Sequence, residues 1–121
     1  MYAISKKIYV MSVEQIDKVD FIGTLPNGNV QLTISDHLNW NETNEHLIIL
    51  QDKINSYLDF IENEQLYEVY PYSINKQIII SVVFKHNPNE IAKDFLQSCK
   101  ETIESINVHF NWEVLKNSQN V

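Results

Sequence analysis

The residues best suited to chemistry gather between positions 36 and 46 of the chain. Histidine is the side chain that changes charge closest to neutral pH, so His37 or His46 could carry a proton while Asp36 orients the imidazole. Trp40 would then shield the site from water. Asp36, His37 and His46 are therefore the candidate catalytic residues.

A structural role explains the same segment more simply. Asp36 and Asn41 can accept hydrogen bonds from the unpaired backbone N–H groups of a turn, and Trp40 can pack over the end of a helix. No nucleophile or second acid stands in an arrangement that would define a reaction. We therefore favour the structural explanation over the catalytic one.

The histidines and the cysteine do not form a recognised metal site. His37 and His46 could bind a metal with a carboxylate, but their spacing differs from two histidines one helical turn apart with a glutamate between them. Cys99 lies in an apolar helical stripe with Phe95 and Ile103, which predicts an inert, buried thiol. We predict no metal and no cofactor. A single cysteine also rules out an intrachain disulfide and favours a cytoplasmic location.

Tyrosines beside acids suggest a protein interface in residues 67–72, which read Tyr-Glu-Val-Tyr-Pro-Tyr. Tyrosine is a residue type that anchors interfaces, although ordinary packing at a strand end explains the segment equally well. The residues predicted to contact a protein partner are Trp40, Tyr70, Tyr72, His109 and Glu113.

The charge balance limits the class of partner. Nine lysines and no arginine stand against 16 acidic residues in a chain of 121, for a net charge of −7. Nucleic-acid binding draws its affinity from Lys and Arg, so this balance disfavours nucleic acid and favours a basic protein. The longest apolar run, Ile78–Phe84, is far shorter than the ~20 residues of a membrane span, and the N-terminus lacks the apolar run of a signal peptide.

Hydrophobic periodicity predicts the element order β-β-α-β-β-α-β. Alternation of period two predicts strands at residues 19–25, 30–34, 66–70, 77–86 and 108–114, while helical spacing predicts helices ending near residues 62 and 106. Asn41 or Thr43 is expected to cap the first helix, and Asn87, followed by Pro88, the second. The Asn-Gly pair in residues 26–29 predicts a tight hairpin.

These elements predict an α+β fold of two layers. A single, curved, mostly antiparallel sheet would carry both amphipathic helices on one face, with Ala92, Phe95, Cys99, Ile103 and Ile106 buried along the second helix. Residues 77–86 are apolar on both faces, which favours a central strand. The other face of the sheet, with His109 and Glu113, would remain open to solvent or to a partner.

Several segments resemble one known family. They read Leu-Thr-Ile-Ser-Asp-His-Leu-Asn-Trp at 32–40, His-Leu at 46–47, Leu-Gln at 50–51 and Asn-Ser-Tyr-Leu-Asp-Phe-Ile-Glu at 55–62. The pattern LTISDHLxW…HLxxLQ…NxYLxFIE resembles an uncharacterised family of small bacterial proteins. The likeness covers residues 11–115 and makes residues 1–10 an N-terminal extension. The chain length predicts a single domain, 11–115, and the polar composition of residues 116–121 predicts a frayed tail. It carries no activity, but such proteins are often encoded near toxin systems, which implies an immunity-like role.

Three functions follow as hypotheses. The favoured one is a non-enzymatic module that binds a basic protein, as an immunity protein covers the active site of a toxin. The second is a small hydrolase or metal-dependent enzyme that uses Asp36, His37 and His46. The third is a homodimer with a structural or regulatory role.

Overall fold

The computed structural model describes residues 19–116, so the expectations for residues 1–18 and 117–121 lie outside the described part of the chain. Its four strands form one sheet in the order β1-β2-β3-β4, with three helices and one turn of 3-10 helix at Pro71–Ser73. The strands are β1 Phe21–Thr24, β2 Val30–Asp36, β3 Ile78–Phe84 and β4 His109–Val114. The helices are α1 Thr43–Glu62, α2 Gln65–Val69 and α3 Glu90–Glu104.

The sheet is mixed, and the prediction of a mostly antiparallel sheet is wrong. Strands β1 and β2 are antiparallel, whereas β2 with β3 and β3 with β4 are parallel. The chain passes from β2 to β3 through α1 and α2, and from β3 to β4 through α3. Parallel neighbours need such long crossover connections, so the two main helices impose the parallel pairing.

The strand predicted at residues 66–70 is in fact the short helix α2. Helix α1 ends at Glu62, and Glu64 then takes a left-handed conformation, with φ of 63°, that turns the chain. The backbone N–H of Tyr70 donates to the carbonyl of Leu66 at 2.8 Å and closes a helical turn. Only Leu66 of this segment is buried. One apolar anchor suits a single helical turn as well as a short strand, so the alternation was misleading.

The core lies between the sheet and the two long helices. Strand β3 is an inner strand, as predicted, and even on the face turned away from the core Ile79 and Ser81 are only 7% and 4% exposed. In α3 the buried residues are Ala92, Leu96 and Ile103, whereas Phe95 and Cys99 are half-buried and Ile106 lies exposed beyond the helix. The largest fully buried side chains of the hydrophobic core are Leu32, Ile34, Leu50, Tyr57, Leu66, Ile80, Phe84, Leu96, Ile103 and Phe110.

The hairpin between β1 and β2 forms as the Asn-Gly pair predicts. The N–H of Gly28 donates to the carbonyl of Leu25, and the N–H of Asn29 donates to Oδ1 of Asn27 at 2.9 Å. Gly28 has a φ of +95°, a conformation that side chains with a Cβ rarely adopt. The turn sets the register in which Thr24 faces Val30.

The two long helices begin side by side and are joined by hydrogen bonds. Asn89 is the N-cap of α3, because its Oδ1 accepts from the N–H of Ala92 and its Nδ2 donates to Oγ1 of Thr43, both at 2.9 Å. Thr43 in turn donates to the carbonyl of Trp40. The expected caps were wrong: Asn87 lies two residues before the observed cap, and Glu42, not Asn41 or Thr43, occupies the N-cap of α1.

Asn89→Ala is expected to cost about 1–2 kcal/mol of unfolding free energy, because it removes the cap of α3 and the link to α1 together. The matched substitution Asn87→Ala should change the free energy by less than about 0.5 kcal/mol, since Asn87 is exposed and precedes the helix. Urea titrations of both variants measure the difference. Equal losses would contradict the assignment of the cap to Asn89.

Candidate functional site

Asp36 and His46 form a buried pair that ties the end of β2 to the first turn of α1. Nε2 of His46 lies 2.7 Å from Oδ2 and 2.9 Å from Oδ1 of Asp36. The residues are 1% and 3% exposed. The structure therefore brings together two of the three candidate catalytic residues, and Asp36 contacts His46 rather than orienting its neighbour His37, which is exposed.

Both ring nitrogens of His46 face hydrogen-bond acceptors. Nδ1 lies 3.0 Å from the carbonyl oxygen of Asn39, which can only accept, so Nδ1 carries a hydrogen. The contact between Nε2 and the carboxylate of Asp36 also requires a proton. Both ring nitrogens are thus engaged by groups of the protein.

Trp40 closes the pair from one side. Its ring stacks on the imidazole of His46, with centroids 3.6 Å apart and an angle of 19°, and packs obliquely against Phe84. The indole Nε1 donates to the carbonyl of His86 at 3.1 Å. The ring face and the Nε1–H of Trp40 therefore contact groups within the protein. Trp40 was also predicted to contact a partner.

The turn after β2 is held by side-chain acceptors. Oδ1 of Asp36 accepts from the N–H of Leu38 at 3.0 Å, as the structural explanation expects. The second acceptor is Asn39, whose Oδ1 accepts from the backbone N–H of Asn41 at 2.9 Å. Asn41 was predicted to accept a hydrogen bond at this turn through its side chain, but here its backbone is the donor. These bonds fix the route of the chain from the sheet into α1.

A shallow cavity of about 190 Å³ adjoins the Asp36–His46 pair, lined by Leu38, Asn39, Glu42, Glu45, His46 and Ile49. Among residues 19–116, no three His, Cys, Asp or Glu side chains lie where they could share a metal ion.

In the same residues no helix is long and apolar enough to cross a membrane.

The other residues predicted to contact a partner fall in two separate places. Tyr72 is 52% exposed, packs edge-on against Tyr70 and lies under the ammonium of Lys76, 4.8 Å from its ring centroid. His109 and Glu113 are exposed on one face of the edge strand β4. With Trp40 at the start of α1, the five residues therefore lie on three different elements of the fold.

A second buried ionic contact, between Lys53 and Asp20, was not predicted. Nζ of Lys53 lies 2.9 Å from Oδ1 of Asp20, and the two side chains are 0% and 3% exposed. Oδ2 of Asp20 accepts from the N–H of Ser35 at 2.8 Å. The hydroxyl of Tyr57 accepts from the N–H of Asp20 and donates to the carbonyl of Thr33. The network joins the middle of α1 to the chain before β1 and to β2.

Burial raises the pKa of Asp20, and the hydrogen bonds from Ser35 and Lys53 together with the charge of Lys53 offset this only in part. One signal in the sequence could have revealed the network. Lys53 stands with Leu50, Ile54 and Tyr57 at positions i, i+3, i+4 and i+7, which place it on the buried face of α1.

An open groove of about 280 Å³ separates α1 from α3, and sequence reasoning missed it. Its apolar floor and walls are Ile54, Leu58, Phe95, Cys99 and Ile103. Uncharged polar residues, Gln51, Asn55, Ser98 and Thr102, border it and are exposed. Burial raises the pKa of the Cys99 thiol to about 11, so the thiol is protonated and weakly nucleophilic at neutral pH.

The exposed surface of residues 42–68, which include α1 and α2, is acidic. Every carboxylate from residue 42 to 68 is exposed, whereas Lys53, the only lysine in that stretch, is fully buried. The carboxylates are Glu42, Glu45, Asp52, Asp59, Glu62, Glu64 and Glu68. On α3, Asp94 and Glu101 lie four residues before and three residues after Ser98 of the groove, and both are exposed.

The lysines of α3 lie on its other side. Lys100 donates to Glu104 at 2.9 Å and lies 3.4 Å from the carbonyl of Phe110 in β4. Lys93 is seven residues earlier and so shares that side of the helix. Carboxylates therefore flank the groove on both helices, while the nearest lysines of α3 point toward β4.

Comparison with known proteins places the chain in a family but adds no activity. No curated protein and no solved structure matches it. Residues 11–116 match the family described as a family of unknown function, DUF6572. This match spans most of the chain and agrees with the resemblance seen in residues 32–62. The chain therefore belongs to DUF6572, a family whose function is unknown.

Proposed function

We propose that this chain is a non-enzymatic protein-binding module that engages a basic partner through its helical layer. The observation that carries the proposal is the groove between α1 and α3. It has an apolar floor and an uncharged polar border, and exposed carboxylates stand on both helices that form it. An apolar centre with a polar rim is the usual anatomy of a protein interface.

An immunity-like role is the more specific form of this proposal. A net charge of −7 and an acidic helical face would accelerate the encounter with a basic toxin and hold the module over its active site. We place this role in the bacterial cytoplasm, where the single cysteine would stay reduced. The enzyme hypothesis has less support, because both ring nitrogens of His46 are engaged within the fold.

The proposal predicts that Ser98→Trp weakens binding of the partner by about tenfold or more, because the indole fills the groove. Gln97→Trp is the matched control, since Gln97 is exposed on α3 but does not line the groove. The purified products of the adjacent genes are tested by calorimetric titration, with circular dichroism to confirm that both variants fold.

Two further variants test the surfaces that the sequence pointed to. Trp40→Ala and Glu113→Lys alter the start of α1 and the open face of the sheet. Loss of binding in Glu113→Lys, with no effect of Ser98→Trp, would move the interface to the sheet. Failure of every adjacent gene product to bind the wild-type chain would contradict the role as a module for such a partner.

A further inference from the structure

We infer that the groove between α1 and α3 receives an amphipathic helix of a partner protein, with an apolar stripe along the groove and Lys or Arg on its flanks. The inference rests on the proposed function and specifies the partner's secondary structure and charge. It concerns the groove alone and needs neither the Asp36–His46 pair nor the open face of the sheet.

The two walls of the groove are formed by α1 and α3, which run parallel to each other. Both α1 and α3 connect parallel strands of one sheet, so they run alike, and the bond from Asn89 to Thr43 joins their first turns. Ile48 lies seven residues before Asn55, and Ile91 four before Phe95, so each extends its wall toward the joined ends. These isoleucines are 60% and 61% exposed. The apolar strip is therefore longer than the cavity itself.

The shape fits a helix better than a small ligand. A volume of about 280 Å³ is below the usual ~300–1,000 Å³ of small-molecule pockets, and this groove is open to solvent along one side. Two helices side by side present ridges and a furrow into which the side chains of a third helix pack. Anchors at positions i, i+3, i+4 and i+7 would pack against the apolar residues of the groove, among them Phe95, Cys99 and Leu58.

The charges select the flanks of the incoming helix. Asp94 lies four residues before Ser98 of the α3 wall, and Glu101 lies three after it. On α1, Asp52 lies three residues before Asn55, and Glu62 lies seven after it. Exposed carboxylates therefore stand on the helix surfaces next to both walls. Lys or Arg at its flanking positions would pair with them. A second copy of this chain is disfavoured as the occupant, because its own helices would bring carboxylates against carboxylates.

Cys99 provides a built-in reporter of occupancy. It is the only cysteine of the chain and lies half-buried in the wall of the groove. A helix seated there would cover the sulfur, so the rate of alkylation by iodoacetamide falls when the groove is filled. The rate is measured at mildly alkaline pH, because a larger fraction of this thiol, whose pKa is about 11, is then ionised. The measurement requires no label and uses the full chain.

The experiment compares three synthetic peptides of about 18 residues, or five helical turns. The first carries leucines at helical spacing flanked by lysines, the second has the same leucines flanked by glutamates, and the third has the composition of the first but with two central prolines. Alkylation of Cys99 and amide chemical shifts are recorded with each. The lysine helix is expected to slow alkylation by about tenfold and bind at least tenfold tighter than the glutamate helix.

Three variants locate the effect. Ser98→Trp and Asp94→Lys/Glu101→Lys should each weaken the lysine helix by about tenfold or more, whereas Glu68→Lys/Glu113→Lys, with the same change in charge elsewhere, should weaken it by less than about threefold. Equal binding of all three peptides, or shifts scattered over α1 and α2 with Cys99 unprotected, would overturn the inference. So would protection by an apolar amphiphile such as decanoate in place of the helix, or protection that rises with protein concentration alone.

The two proposals fail in different ways. A natural partner whose binding is lost in Ser98→Trp, together with a lysine helix that does not bind, keeps the binding function and rejects the helical occupant. A lysine helix that binds as expected, together with a partner insensitive to Ser98→Trp, keeps the helix-binding groove and moves the proposed partner interface elsewhere.

Discussion

Lys53→Met is expected to lower the unfolding free energy by about 3–5 kcal/mol at neutral pH. The substitution leaves the carboxylate of Asp20 buried without its cation, and an uncompensated buried charge is among the costliest single changes in a protein. Methionine matches the length of the lysine stem, so packing against Tyr57 is largely kept. The loss therefore reports the missing charge more than a cavity.

The loss is expected to depend on pH in a defined direction. Burial already raises the pKa of Asp20 above its ordinary value of 3.8, and Lys53 is one of the groups that hold it down. The native state thus binds this proton more tightly than the unfolded state does. The contribution of Asp20 to the unfolding free energy is therefore fully present below about pH 3.8, and it is lost as the pH rises through the folded-state pKa of Asp20.

Removing Lys53 raises the folded-state pKa of Asp20 further, because Lys53 is one of the groups that lower it. The gap between the unfolded-state and folded-state pKa values of Asp20 then becomes wider. The difference in unfolding free energy between wild type and Lys53→Met should therefore be small near pH 4 and grow toward pH 7, as urea titrations at several pH values would measure. Lys93→Met is the control, because Lys93 is partly exposed and its contact with Glu90 is long, 3.9 Å. It should change stability by less than about 0.5 kcal/mol at any pH.

A double variant separates charge from packing. Asn at position 20 can still accept from the N–H of Ser35, so Lys53→Met/Asp20→Asn restores a neutral interior without losing that bond. We expect the double variant to be more stable than Lys53→Met at pH 7 and the two to converge in acid. A loss in Lys53→Met that is constant with pH would show that Asp20 and Lys53 do not interact as the geometry indicates.

Patterns within short stretches of sequence predicted four elements of the fold correctly: the last strand, the hairpin and the two long helices. Alternation located the last strand, Asn-Gly located the hairpin, and apolar spacing located α1 and α3. The segment at 66–70 failed because it holds one buried side chain, Leu66, and so few apolar positions fit a strand and a helical turn equally well. The strand directions failed with it, since turning this segment into a helix changes the connection between β2 and β3.

The candidate site shows a different limit. Composition and spacing identified Asp36 and His46, but the sequence could not tell whether His37 or His46 would reach the carboxylate, because that depends on how α1 leaves the sheet. The groove was missed for a similar reason. A helical stripe of Phe95, Cys99 and Ile103 predicts burial, yet the gap between two helices is set by their packing on the sheet, which no local pattern records.

The Asp36–His46 pair gives the second large effect, and two substitutions at one position separate its causes. Asp36→Ala is expected to cost about 3–5 kcal/mol, because it leaves Nε2 of the buried imidazole without its acceptor and removes the acceptor for the N–H of Leu38. Asp36→Asn should cost only about 1–2 kcal/mol. Its Oδ1 can accept from Leu38, and its Nδ2 can donate to Nε2 of a neutral His46 whose Nδ1 still binds Asn39.

The measurement also separates a structural pair from a catalytic one. Since Trp40 stacks on His46, loss of the pair should weaken the near-ultraviolet circular dichroism of the tryptophans and speed hydrogen exchange in the first turn of α1. His109→Ala, on an exposed histidine of β4, should leave both signals and the stability unchanged. An Asp36→Ala variant as stable as wild type would mean that the pair contributes little to folding. The engagement of His46 within the fold would then no longer count against the enzyme hypothesis.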